Sequence, residues 1–200
     1  MSALPAEAAE GRFVVRQAER AEDLCQIEVL LSDIWGTEKP PISRDLMQAL
    51  RVNGSYVAAA YQDGRVIAGA VGFLADDERE GLHLHSHILG VRPETQVRGV
   101  GFALKQHQRQ WALDRGLPVI TWTFDPLVRR NAYFNVTKLG AGIDAYRANF
   151  YAPMGDAINH DDDGDRLIVR WDLRGSRAED AAQGRKPDLS LGRLLQDGAT

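Results

Sequence analysis

Residues 82 to 101 read LHLHSHILGVRPETQVRGVG, and this stretch constrains the fold more than any other. Side chains alternate with period two up to Val91, as along a strand. A turn containing a proline follows, and Gly99 and Gly101 open a segment of helical character that Gly116 is expected to close. The first amides of such a helix have no intrahelical partner, and the aligned peptide dipoles add partial positive charge there. Two glycines let a ligand come close to the backbone. The N–H groups from Val97 to Phe102 therefore suit an anion such as a pyrophosphate, with Arg98 adding a fixed charge. The alternative is a plain glycine-containing helix start. Neither G-x-x-x-x-G-K-[ST] nor a three-glycine dinucleotide fingerprint occurs, so a phosphate compound would be held in some other way.

The rest of the pattern fits one α/β (α+β) domain with a mixed sheet. FVVRQA (13–18) alternates as a first strand. Leu24, Ile27, Leu31 and Ile34 recur at spacings of three and four, which predicts a helix from Ala21 to Trp35, broken by Gly36. Ser43 caps a second helix through Leu50. SYVAAAY (55–61) and RVIAGAVGFL (65–74) are strands joined at Asp63-Gly64, a strong hairpin signal. ADDEREG reads as a polar loop before the strand at 82–91. A fifth strand at 118–124, a helix at 127–140 and two strands at 142–151 and 165–173 complete about seven strands and four helices. Residues 1–174 form the domain. Residues 175–200 read as a polar tail, with Leu189, Leu191, Leu194 and Leu195 available to dock.

Composition narrows the partners. With 24 basic and 28 acidic residues the net charge is -4, without the basic excess of a nucleic-acid binder. No run approaches the ~20 apolar residues of a membrane span. MSALPAEAAEGR lacks the basic-then-apolar order of a signal peptide, so a cytoplasmic location is expected. The single Cys25 forms no internal disulfide and falls in an apolar helical pattern.

Gln96-Val97-Arg98-Gly99-Val100-Gly101 matches Q/R-x-x-G-x-G/A, and Val-Arg-Pro-Glu precedes it as V-x-P-E. On these residues, and on the order of elements from about 12 to 173, the chain resembles the GNAT superfamily of acyl-CoA-dependent N-acyltransferases. FDPLVRRNAYFNVTKLGA and DRLIVRW look like a little-characterised bacterial branch of it. The resemblance implies a mostly antiparallel sheet splayed between its fourth and fifth strands. It implies acetyl-CoA, or succinyl-CoA, as co-substrate and no metal. The amides from Gln96 to Phe102 would hold the pyrophosphate. Leu89 and Val91 would pair with the pantetheine through their backbone, with Gly90 at a bulge, and Asn131 would contact CoA.

Residues two apart on a strand share a face at about 6.6–6.8 Å. His83, His85 and His87 are thus expected to point one way, together with Leu89 and Val91. An amine nucleophile must be neutral to attack, and histidine, with an unperturbed pKa of about 6.5, is the natural base. HSHILGV also resembles HLHMLAV of the arylalkylamine N-acetyltransferases, where the two histidines deprotonate the amine. Carried over by position, those are His85 and His87. A zinc enzyme on the His83/His85/His87 strand is a third reading; its first and third histidines stand about 13 Å apart, too far to share one ion, so a carboxylate from elsewhere would be needed. The tract at 161–165 has Arg166 where an EF-hand needs glycine.

One departure concerns the acid. Many family members carry a tyrosine just before a Lys-Leu-Gly-like helix end; here that place holds Val136, and Tyr133, one turn earlier, is the candidate. Trp35, Trp122 and Phe124 are candidates to line the acceptor pocket. Asp125 is a candidate for an ammonium, and Arg129 or Arg130 for a carboxylate. The expected activity is transfer of an acyl group to a primary amine of a small molecule, with an amino acid favoured, by an enzyme that is a homodimer if it follows its look-alikes. A non-catalytic acyl-CoA sensor is the alternative that Val136 raises.

Overall fold

The computed structural model describes residues 13–95, 97–151 and 164–185. In chain order these form β1 (Val14–Gln17), α1 (Ala21–Trp35), α2 (Arg44–Val52), β2 (Tyr56–Gln62), β3 (Arg65–Asp77), β4 (Gly81–Val91), α3 (Val100–Asp114) and β5 (Val119–Phe124). Then come α4 (Arg129–Ala132), which runs straight into a π-helical stretch (Tyr133–Lys138), β6 (Gly142–Tyr151), β7 (Gly164–Asp172) and α5 (Ser176–Ala182). The sheet order is β1-β2-β3-β4-β5-β7-β6. Every pairing is antiparallel except β4 with β5. This is the mixed, mostly antiparallel sheet that the sequence predicts.

Alternation along the strands divides the core between two faces. Val57, Ala59 and Tyr61 of β2 pack with Leu24, Ile27, Leu31 and Met47 under α1 and α2. Tyr56, Ala58 and Ala60 pack on the other side with Leu104, Trp111 and Ala112 of α3. α1 comes so close to β4 that a Cβ on Gly90 would meet Ile34 Cδ1 at 2.7 Å and Leu31 Cδ2 at 3.0 Å, so any side chain there would push these side-chain ends aside.

Several elements differ from expectation. β3 and β4 extend to Asp77 and Gly81, so most of ADDEREG is strand. The solvent-facing end of a two-stranded arm tolerates polar residues that resemble a loop. The helix expected over 127–140 is one short α-helical turn followed by i→i+5 bonding, as in Leu139 N–H to Phe134 O at 3.0 Å. Within the segment read as a tail, α5 buries Ala178 and Ala181 against the core; residues 186–200, with the four leucines, lie outside the described residues. Among the described residues no helix is long and apolar enough to cross a membrane.

Candidate active site

The site is built around β4 and its two breaks in regularity. The first is an edge that opens. β4 pairs with β5 only at Leu84↔Ile120 and His85↔Thr121. Beyond His85 the two strands part, and one edge of β4 has no strand beside it. Arg92 N–H donates to Ile67 O of β3 at 2.9 Å. Backbone groups alternate sides along a strand, so Gly90 also faces β3 while Leu89 and Val91 turn their N–H and C=O to the open edge.

The second break is a bulge. Val71 lies opposite Ile88 and Gly72 opposite Ser86, so His87 is an extra residue in β4. The extra residue reverses the alternation. His83 and His85 face the α1 side, Leu84 and Ser86 the α3 side, yet beyond the bulge Leu89 and Val91 pack on the α3 side and Ile88 on the α1 side. This corrects the expectation of one shared face for the three histidines, Leu89 and Val91. It also moves the expected bulge from Gly90 to His87.

The histidines differ. His83 is buried, with its Nδ1 2.8 Å from Gly81 O and its Nε2 3.9 Å from an Asp77 carboxylate oxygen, and it packs as part of the arm. His85 is half-buried, its Nδ1 3.1 Å from Thr121 Oγ1. That contact leaves Nε2 without a partner among the described residues. Burial, then the neighbouring His87, His83 and Lys105, lowers His85 to about 4. The ring is thus unprotonated at neutral pH. His87 is exposed, and both rings lie against Phe73, with centroids 5.0 Å and 5.7 Å from it.

His85 opens onto a hollow of about 380 Å³ with apolar walls from Phe73, Phe150 and Ile168. Charges of both signs line it. Arg170 Nε donates to Glu80 at 2.7 Å, Arg79 pairs with Asp144, and Asp77 accepts from the amides of Arg79 and Glu80. A larger cavity, about 840 Å³, lies between α1 and the loop after β4 and shares no residue with this hollow.

At the open edge stands the start of α3. Gly99, at φ 86, occupies the left-handed region and is the N-cap. The first intrahelical bond runs from Ala103 N–H to Gly99 O, so the amides of Val100, Gly101 and Phe102 are free of the helix ladder. Arg98 and Gly99 are exposed, whereas the Val100 side chain anchors the turn in the core. Gly101 faces Val91, Leu89 and Phe134, which joins this turn to the β4 edge and to the π-helical stretch. Gln96 lies outside the described residues.

The other candidates scatter. Trp122 borders the hollow, but it is buried and stacks edge-on against Trp171. Phe124 sits in the α3-side core, Trp35 packs by Gly90 under α1, and Asp125 accepts from Leu127 N–H at 2.8 Å in the turn after β5. None of these three lines the hollow. Asn131 is half-buried and Tyr133 is 48% exposed on the helical stretch beside the α3 start; Arg129 and Arg130 are exposed. His107, on α3, has its Nδ1 2.9 Å from the hydroxyl of buried Tyr56, away from the hollow. Among the described residues no group of three or more His, Cys, Asp or Glu is placed to hold a metal ion.

A strand with a free edge, a helix start with free amides beside it and an unprotonated histidine at the fork can together hold an anionic thioester and take a proton. A profile described as the acetyltransferase (GNAT) family matches residues 21–140. The chain belongs to the GNAT acetyltransferase family. It is accordingly an acyl-CoA-dependent N-acetyltransferase with acetyl-CoA as its co-substrate. Solved structures of similar fold include a ribosomal-protein-S18-alanine N-acetyltransferase from Escherichia coli, at 16% identity over 82% of this chain and 96% of that one, TM-score 0.63. An N-acetyltransferase from Staphylococcus aureus Mu50 gives 16% identity, 81% and 99% coverage and TM-score 0.64. Arabidopsis thaliana Naa50, in complex with the bisubstrate analogue CoA-Ac-MVNAL, gives 16%, 79% and 97%, and 0.61. At these identities the likeness speaks for the fold. No curated protein sequence matches the chain.

Two residues beside the fork were not singled out from the sequence. Thr121, which fixes His85, is ordinary in a strand. Lys105 looks like a solvent-facing helix lysine but is buried. Its spacing held a signal, because Lys105 and Gln108 fall on the stripe of Leu104, Trp111 and Ala112.

Proposed function

We propose that this GNAT enzyme transfers an acetyl group, or a succinyl group in its place, to the primary amine of a small molecule by direct attack. The observation that carries the reading is His85, pinned by Thr121 at the last β4–β5 rung with Nε2 free beside the hollow. The amides from Gln96 to Phe102 receive the CoA pyrophosphate with Arg98, Asn131 contacts the CoA from α4, and Leu89 and Val91 pair with the pantetheine. Their N–H groups also polarise the thioester carbonyl, where negative charge develops. The neutral amine attacks that carbonyl; the C–N bond forms, the C–S bond breaks, and His85 with His87 takes the amine's proton through water. Tyr133 returns a proton to the thiolate, Val136 having none to give. A thiol pKa near about 8.5, as in cysteine, makes the thiolate a fair leaving group, so this last step contributes modestly.

An amino acid is the favoured acceptor. A hollow with apolar walls and charges of both signs suits a molecule that carries an ammonium, a carboxylate and a side chain. Trp122, Phe124, Trp35 and Asp125 have less support as acceptor contacts, for the packing reasons given above. A cytoplasmic homodimer remains the proposed setting.

The test is calorimetric titration with acetyl-CoA, succinyl-CoA and CoA, then a turnover screen over free amino acids, arylalkylamines and short peptides. Micromolar binding of one acyl form and turnover of a free amino acid is expected. Turnover confined to peptides would overturn the small-molecule reading, and no binding would overturn the donor site.

A further inference from the structure

Lys105 is a charged side chain for which the reaction above has no use. It rises from α3 beneath the sheet and is 4% exposed. Its Nζ donates to Ser86 Oγ at 2.8 Å and to Gln108 Oε1 at 3.0 Å, and lies 3.9 Å from the centre of the Trp122 ring. Among the described residues no carboxylate meets it. Burial lowers it to about 7. Gln108, wholly buried, turns its oxygen to Lys105, and its own Nε2 has no partner among the described residues. A buried ammonium without an anion is costly, and an apolar side chain of similar volume would serve stability better.

Its position supplies a reason. The last rung joining β4 to β5 is His85↔Thr121. Ser86 and Trp122 are the next residues on each strand, both on the α3 side, and Lys105 touches both. It plugs the apex of the fork from below, directly across the strand from His85.

We infer that Lys105 is a positioning residue for the base: it ties β4 down through Ser86 just before the bulge and sets its cation behind His85, where it adds to what burial and the flanking histidines already do. This rests on the reading of His85 as proton acceptor. The surroundings of His85 support it. Phe73 of β3 is neutral, Thr121 of β5 supplies a hydroxyl, and His83 and His87 flank it on β4. The carboxylates across the hollow are engaged elsewhere: Asp77 by two amides, Glu80 by Arg170, Asp144 by Arg79. Among the described residues Lys105 is the cation that acts on His85 from the helix side. A like charge at short range in a medium of low dielectric opposes protonation.

The test is a histidine-selective NMR titration of the apo protein, wild type against Lys105→Met and Lys105→Gln. Lys105→Gln keeps a hydrogen-bonding partner for Ser86 and guards against a collapse of the packing. The His85 midpoint is expected to rise by about half a unit or more in both, with His83 moving less. Ser86→Ala, which keeps the cation, is expected to leave it in place. Turnover of either Lys105 variant should fall further at pH 4.5 than at pH 7, because a midpoint near 4 moves through that range, while thermal stability stays level or rises. An unmoved His85 midpoint overturns the inference, even if His85→Ala abolishes turnover. A moved midpoint with an unchanged pH profile would instead remove His85 from the reaction, which is the failure of the underlying reading.

Discussion

The two halves of β4 do different work. Up to Ser86 the strand is held, with β3 on one side and the last rungs to β5 on the other, and it contributes side chains: a fixed histidine, and a serine anchored to a buried lysine. Past His87 it is paired on one side only, and it contributes backbone: the N–H and C=O groups of Leu89 and Val91. One inserted residue separates the halves and swaps which face each presents. The difference shows that a single strand can carry side-chain chemistry and backbone recognition if its register breaks between them.

That division can be attacked from either end. The largest expected effect is on the first half. His85→Ala together with His87→Ala should lower kcat/KM by roughly 10²–10⁴-fold, the usual span of acid–base assistance, with acetyl-CoA affinity by calorimetry unchanged. A parallel loss of affinity would mean that the halves are not separable. On the second half, Val91→Pro removes an amide that points to the open edge and not to β3, so the sheet should survive it. Donor Kd is expected to rise by about tenfold, the order of one hydrogen bond, while the His85 resonance stays where it was. Smaller still, Tyr133→Phe should lower kcat by about threefold, because the leaving thiolate needs little help; a loss of a hundredfold would make the hydroxyl central.

The pH dependence of stability separates the halves without any substrate. His85 sits near 4 when folded, below the ordinary 6.5, so the unfolded chain takes up the proton first. Its contribution is constant above about pH 6.5, is lost as pH falls from there to about 4, and levels off below. The urea midpoint of the wild type should fall relative to that of His85→Gln as pH falls through that window.

Much of this was readable in the residues. Asp63-Gly64 marks its hairpin, the spacing of Leu24, Ile27, Leu31 and Ile34 marks α1, and the glycine motif marks the start of α3. The bulge was hidden because Ile88, Leu89 and Val91 are apolar on both faces, so an extra residue leaves no phase error in the pattern. The break of the fourth helix into a π-helical stretch was hidden for a similar reason, since RRNAYFNVTKLG satisfies a helical spacing of either width. Lys105 was hidden by its type: lysine on a helix normally belongs to water, and only its place on the stripe of Leu104, Gln108 and Trp111 betrays it. For Phe124 and Trp122 the residues left core and pocket both open, because large aromatic residues at a strand end fill a core as readily as they line a pocket.

The fork between β4 and β5 also has a mechanical meaning. β1 to β4 form one slab and β5, β7 and β6 another, and across the sheet only two rungs fasten them. Side-chain packing supplies what this short ladder does not: Leu84 of β4, Leu104 of α3, Ile120 of β5 and Trp171 of β7 belong to one cluster that runs beneath the joint, so the fork can open along its free edge without dividing the core.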